Sequence, residues 1–240
     1  MSGRVAVITG ASRGIGAGLV AGYRGRGWAV VATARTIKPA QDPDLVTVAG
    51  DIADPATAEK IVGAALDRFG RLDTLVSNAG VVISKPFTDY TGADYARTAG
   101  VNLAGFFWVT QRAIAEMARR YGGHVVTVTA TLAEDADSGT PAVLAALTGG
   151  GLAAATRSLA LEHASCGIRV NAVFADIIRT PVQLAGRSEG LGSWVPPLGR
   201  AGQVSDVVDG VLFLESSPYI TGEILHVDGG QRAGHLGPFG

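Results

Sequence analysis

Along the chain, short runs of β-branched and other apolar residues alternate with longer segments in which Ala and Leu recur at helical spacing. The short runs predict strands at Val5–Thr9, Ala29–Thr33, Val46–Ala49, Thr74–Ser77, His124–Thr129, Arg169–Val173 and Ile224–Val227. The longer segments predict helices over Gly14–Gly25, Pro55–Phe69, Gly92–Tyr121, Gly149–Ser165 and Val204–Glu215. Strands that alternate with helices predict a parallel sheet covered on both faces. Right-handed crossovers then give a doubly wound, Rossmann-type α/β sheet of about seven strands. No internal repeat and no Pro/Ser-rich linker interrupts the 240 residues, so a single domain over 1–240 is expected. Two stretches read as loops, Thr36–Asp44 and the Gly-, Ser- and Pro-rich Pro181–Arg200. The second follows a strand at its carboxyl end and carries Trp194, which makes 181–200 a candidate substrate lid. The tail after Gly230 is irregular.

Charge narrows the partners. Twenty basic and 21 acidic residues leave a formal net charge of -1. Nucleic acid or an anionic membrane surface would call for a basic face, so neither partner is expected. The lone Cys166 excludes an internal disulfide and suits a reducing cytoplasm. Val5–Ile8 is too short for a signal peptide and runs straight into a glycine motif. No stretch reads as the ~20 apolar residues of a membrane helix. No metal site is expected.

The chemistry begins at Thr9-Gly10-Ala11-Ser12-Arg13-Gly14-Ile15-Gly16, after the first strand and at the start of the first helix. Glycines at these places permit a tight turn and let backbone N–H groups approach a pyrophosphate at the helix N-terminus. The spacing is Gly-x-x-x-Gly-x-Gly, unlike the Gly-x-Gly-x-x-Gly of other dinucleotide folds. Further motifs follow in order: Gly50-Asp51-Ile52, Ser77-Asn78-Ala79-Gly80, Val101-Asn102, Gly167–Val173, Thr221-Gly222 and Val227-Asp228-Gly229-Gly230.

Together these motifs resemble the short-chain dehydrogenase/reductase superfamily over roughly residues 4–230. The resemblance implies a nicotinamide dinucleotide held by Gly10, Ser12, Arg13, Gly14, Ile15 and Gly16. Asp51 and Ile52 would lie at the adenine, Asn78, Ala79 and Gly80 along the cofactor, and Ile177 and Thr180 at the carboxamide. NAD-preferring proteins usually end the second strand with a carboxylate that binds the ribose 2′-OH. Here Ala34 holds that place and Arg35 follows it. Arg35 and Arg13 would instead bind a 2′-phosphate, so NADP(H) is the expected cofactor. The bland alternative is that Arg35 is a solvated strand-end residue.

The family's catalytic pattern breaks in this chain. Family members place Ser at the end of the fifth strand and Tyr-x-x-x-Lys on the next helix. Leu152–Glu162 fits that helix without a gap, and counting back puts Ala145 in the tyrosine place and Gly149 in the lysine place. Leu132–Ser158 contains neither Tyr nor Lys, so the conclusion survives an error of register. Ala130 takes the serine place, beside Thr129 and Thr131, whose hydroxyls could hydrogen-bond a carbonyl but are too weakly acidic to protonate it alone. Of the usual four, Asn102 remains as a supporting residue. The family's Pro-Gly after the sixth strand reads Ala175-Asp176, and Asp176 is either a proton relay or an N-cap or turn residue. Gly149-Gly150-Gly151 marks either a close approach to backbone or a sharp turn at a helix start.

Three readings of the missing acid stay open. A ketoreductase could use a proton from a phenol beside the substrate carbonyl, since intramolecular proximity can replace general-acid help. That fits the resemblance to atypical ketoreductases of actinomycete aromatic-polyketide pathways, with an angucyclinone-like aromatic ketone as substrate. The chain could instead be a non-enzymatic NADP-binding sensor or partner subunit. Or another acid could serve, from Tyr90, Tyr95, Glu134, Asp137, Ser138 and His163. The resemblance also implies a homodimer or homotetramer through the helices 92–121 and 149–165.

Overall fold

The computed structural model describes residues 3–130, 141–180 and 196–233. Seven parallel strands form one sheet in the order β3-β2-β1-β4-β5-β6-β7. They are β1 (Val5–Thr9), β2 (Ala29–Ala34), β3 (Leu45–Ala49), β4 (Thr74–Ser77), β5 (Gly123–Ala130), β6 (Ile168–Ala175) and β7 (Ile224–Val227). The helices are α1 (Gly14–Gly25), α2 (Pro55–Phe69), α3 (Gly92–Thr98), α4 (Gly105–Ala118), α5 (Val143–His163) and α6 (Val204–Ser216). A sheet of this kind is buried on both faces, and alternate residues of each strand feed two cores. Val5 and Val7 of β1 pack with Ile61, Val109 and Met117 from α2 and α4, whereas Ala6 and Ile8 pack with Leu19 and Val211 from α1 and α6. Chain order reverses between β1 and β4, and this opens a crevice at their carboxyl ends.

Local signals set the helix ends. Asp54 caps Ala56 N–H ahead of Pro55, and Gly70 closes α2 in a left-handed conformation. Thr91 and Asp94 form a reciprocal capping box on α3.

Two expected helices differ from the sequence reading. The one expected over Gly92–Tyr121 ends at Ala118 and is broken by a π-turn over Ala99–Ala104. The one expected to start at Gly149 starts at Val143, so Gly149-Gly150-Gly151 lie inside α5 rather than at a sharp turn. Each glycine costs about 1 kcal/mol against alanine there. Burial of Leu144, Ala145, Thr148, Leu152 and Ala153 along one face of α5 offsets that cost. Val143–Cys166 is also long and apolar enough, by length and composition alone, to cross a bilayer. Its apolar character has another cause: α5 is packed against β6 in the sheet core, where Ala153 meets Ala172 and Phe174.

At the amino end of the sheet, far from the crevice, a buried polar cluster ties β4, β5 and β6 to α6. Glu215 Oε2 accepts hydrogen bonds from Tyr23 OH (3.0 Å) and Thr74 Oγ1 (2.9 Å), and lies 3.0 Å from His124 Nδ1. Asn171 Nδ2 and Arg169 Nη1 face His124 Nε2 at 3.0 and 3.3 Å. Two donors on Nε2 mean that Nδ1 carries the imidazole proton and gives it to Glu215.

Candidate active site

The glycine loop joins β1 to α1 and reaches the crevice through Ile15. Gly10 and Gly14 have φ of 66° and 54°, the left-handed region that glycine tolerates. A Cβ on Gly16 would fall 2.1 Å from Gly10 O and 2.8 Å from Asn78 Nδ2, so loop and helix can meet only through a glycine. Asn78 bridges the loop from the end of β4, donating to Thr9 O at 3.0 Å and Gly10 O at 3.3 Å. Thr9 Oγ1 in turn accepts from Asn78 N and Ala79 N at 3.0 and 2.9 Å. The first turn of α1 has no side-chain cap and no acidic residue. Its N–H groups therefore face the crevice with the positive end of the helix dipole, a fit for a pyrophosphate. A Cβ on Gly14 would meet Thr180 Cγ2 at 3.4 Å, so the segment after β6 reaches over the same helix end.

The crevice is a cleft lined by both sides of the chain-order reversal. Ile15, Asn78, Ala79, Gly80, Asn102, Thr129 and Thr180 line it, as do Ala130, Leu152, Asp176 and Ile178. Ser12, Arg13 and Arg35 are exposed beyond it, around the loop and the end of β2. Ala34 ends β2, so no carboxylate stands at that strand end.

Other expected residues are placed elsewhere. The Ile52 side chain is buried in the core against Gly105, and Asp51 is exposed, with Oδ1 accepting from Ala53 N at 3.0 Å. Ile177 is buried and does not line the cleft, whereas its neighbour Ile178 does. Asp176 precedes no helix in the described residues, which removes the N-cap reading, and the Gln231 amide lies against its carboxylate. Tyr90 donates to Ile83 O at 2.7 Å, Tyr95 is exposed on α3, and His163 ends α5. None of these three lines the cleft. Thr131, Glu134, Asp137, Ser138, the lid as far as residue 195 with Trp194, and the tail from residue 234 lie outside the described residues.

Asn102 sits in the π-turn, a local widening that often accompanies a functional site. Its Oδ1 accepts from Val81 N at 2.9 Å, and its Nδ2 donates to Val81 O at 3.0 Å and Thr148 Oγ1 at 3.2 Å. Both amide protons are thus engaged, and Asn102 acts as a clamp on the segment after β4. Sequence reading missed Thr148, whose hydroxyl donates to Leu144 O at 2.9 Å and accepts from Asn102. The available signal was a hydroxyl among the apolar and small residues of the first half of α5. Ala145 and Gly149 are buried with it on α5. Thr127 Oγ1 is buried at the cleft with no hydrogen-bond partner among the described residues. Among the described residues that line the cleft there is no Tyr and no Lys.

Residues 10–232 match the family profile described as Enoyl-(Acyl carrier protein) reductase. The chain belongs to the short-chain dehydrogenase/reductase superfamily. It is 34% identical over 239 residues to "Granaticin polyketide synthase putative ketoacyl reductase 2" of Streptomyces violaceoruber, covering 94% of this chain and 95% of the relative. It is 32% identical over 239 residues to the 3-oxoacyl-[acyl-carrier-protein] reductase FabG of Escherichia coli K12, covering 95% and 97%. The solved structure of ElxO with NADP bound superposes with a TM-score of 0.89 at 25% identity, covering 98% of this chain and all of that one. These relatives are reductases, and members of this superfamily use NAD(P).

Proposed function

We propose that the chain is an NADPH-dependent ketoreductase for a bulky aromatic polyketide, angucyclinone-like, whose own phenol supplies the proton. One observation carries this reading: the cleft beside the glycine loop has neither Tyr nor Lys among its described lining residues. On this reading the superfamily's reductive chemistry takes its acid from the substrate. The granaticin relative supports a polyketide as substrate, and a versicolorin reductase of Emericella nidulans is 30% identical over 256 residues.

NADPH, when bound, supplies the hydride. Gly10, Gly14, Ile15 and Gly16 would hold the pyrophosphate through backbone N–H groups at the α1 N-terminus, with Ser12 beside them. Arg13 and Arg35 would hold the 2′-phosphate, with Ala34 offering no competing carboxylate. Asn78, Ala79 and Gly80 would line the path of the cofactor, with Asp51 and Ile52 at its adenine end and Ile177 and Thr180 at its carboxamide end. Thr129 would orient the carbonyl, with Thr131 as its neighbour, while Asn102 keeps the facing segment in place. A phenol hydroxyl beside the carbonyl would already hydrogen-bond to it and could pass its proton to the new alkoxide, the phenolate left behind then regaining a proton from water. General-acid help is worth about 10²–10⁴-fold, and effective molarities of intramolecular groups reach that scale. The small residues Ala145 and Gly149 would leave room for a flat ring. Phe107 and Leu147, exposed on α4 and α5, suit self-association as a homodimer or homotetramer.

The test is NADPH oxidation against two matched aryl ketones, one with a phenol hydroxyl beside the carbonyl and one with that hydroxyl methylated. Turnover of the first alone is expected; equal turnover would place the acid in the protein.

A further inference from the structure

Two buried threonines lie on α5, Thr148 and Thr156. Each gives its hydroxyl proton to the preceding turn: Thr148 Oγ1 donates to Leu144 O at 2.9 Å, and Thr156 Oγ1 to Leu152 O at 2.8 Å. Such a bond satisfies a threonine inside a helix and by itself asks for no function. Thr148 differs in one respect. With its only proton directed into the helix it presents a lone pair to its neighbour, and Asn102 Nδ2 donates to it at 3.2 Å. Asn102 passes the constraint on. Its second amide proton goes to Val81 O at 3.0 Å and its Oδ1 accepts from Val81 N at 2.9 Å, so one side chain grips both backbone groups of Val81. Gly80, Val81, Val82 and Asn102 line the cleft, and Thr148 does not. Leu152 is the one residue of α5 among the cleft's described lining residues, and it is apolar. The hydrogen-bonded route from α5 to the cleft wall therefore runs from Leu144 through Thr148 and Asn102 to Val81.

We propose that Thr148 is a positioning residue: by accepting from Asn102 it holds the Gly80–Val82 wall of the cleft where the nicotinamide half of NADPH packs. The inference rests on the cofactor placement in the reading above, with the nicotinamide half in the cleft and the adenosine half outside it at Arg13 and Arg35. It does not depend on where the proton comes from. Removing the Thr148 hydroxyl leaves a buried amide N–H of Asn102 without a partner, and the penalty is that group's desolvation. The amide recovers a partner by turning into the cleft that it lines, and in turning it releases Val81. Valine in place of Thr148 keeps the shape of the side chain and deletes the acceptor alone.

The experiment measures two affinities of the full-length protein: NADPH by fluorescence titration, and adenosine 2′,5′-bisphosphate, which has no nicotinamide half, by calorimetry. T148V should weaken NADPH binding about tenfold and leave the bisphosphate unchanged. T148S keeps the hydroxyl and should bind both ligands as wild type does. T156V deletes the matching hydroxyl about two turns along the same helix and should alter neither affinity. In an N102A background T148V should cause no further loss, because Thr148 acts through Asn102. T148A carries the test if the valine variant does not fold. Wild-type NADPH affinity in T148V overturns the assignment. So does an equal loss in T156V, an equal loss in T148S, or an equal loss for both ligands, since a purely structural role would give these. A selective loss in T148V, with no aryl ketone turned over, upholds this inference and sinks the reductase reading. Ketone turnover with NADPH binding that T148V leaves unaltered does the reverse.

Discussion

Replacing Glu215 by alanine removes one carboxylate oxygen that takes hydrogen bonds from Tyr23, Thr74 and His124 inside the protein. His124 and Glu215 side chains are 2% and 8% exposed, so water cannot take over as partner. Each orphaned buried donor costs about 1–3 kcal/mol. Three donors that share one oxygen do not add independently, so the expected loss lies below the threefold sum, at about 3–5 kcal/mol. In a chain of this length it corresponds to a fall of about 6–20 °C in Tm. Urea unfolding followed by far-UV circular dichroism measures it directly. A loss under about 1 kcal/mol would refute the account of Glu215 as the shared acceptor. The cluster also sets a pH dependence. Burial holds His124 below its ordinary pKa. The unfolded chain then takes up a proton near pH 6.5 that the folded chain refuses, so stability falls as pH drops below about 6.5. Burial alone would raise Glu215, but its bonds from His124, Thr74 and Tyr23 outweigh that and hold it below the usual range. Its contribution is lost at lower pH still, in the same direction. A wild-type stability that rose between pH 7 and pH 5 would contradict both assignments.

Gly16→Ala forces a methyl group into Gly10 O, which is backbone and cannot swing aside. Overpacking of this kind costs about 1–3 kcal/mol; NADPH affinity, read by fluorescence titration, should fall more than stability does, because the loop itself must move. Arg35→Asp replaces a charged hydrogen bond, worth about 1.5–3 kcal/mol, by repulsion. It should weaken NADPH binding by roughly tenfold to a hundredfold and strengthen NADH binding; unchanged NADPH affinity would dismiss Arg35 as a phosphate ligand.

Most of the fold was legible because its signals are local. β1, β4, β7, α1 and α2 run over the residues that pattern alone predicts. The glycine loop was equally readable, since the positive φ of Gly10 and Gly14 and the tight contact at Gly16 demand that residue type. Three features were not legible, each for a tertiary reason. Gly149-Gly150-Gly151 argues against helix by propensity, and the helix forms through burial of the neighbouring face. The π-turn at Asn102 is one extra residue in a helical repeat, and only its bonds to Val81 and Thr148 give it a place. The cluster around Glu215 joins residues 91 to 192 positions apart, which no window of sequence connects.

The central claim is that the substrate, not the protein, provides the proton. Single-turnover reduction by the NADPH-loaded protein, monitored by loss of the reduced nicotinamide absorbance, tests it on the phenol ketone and its methyl ether. The account predicts reduction of the phenol and a rate at least about a hundredfold lower for the ether. Comparable rates on both would contradict it and locate the acid among this chain's own residues.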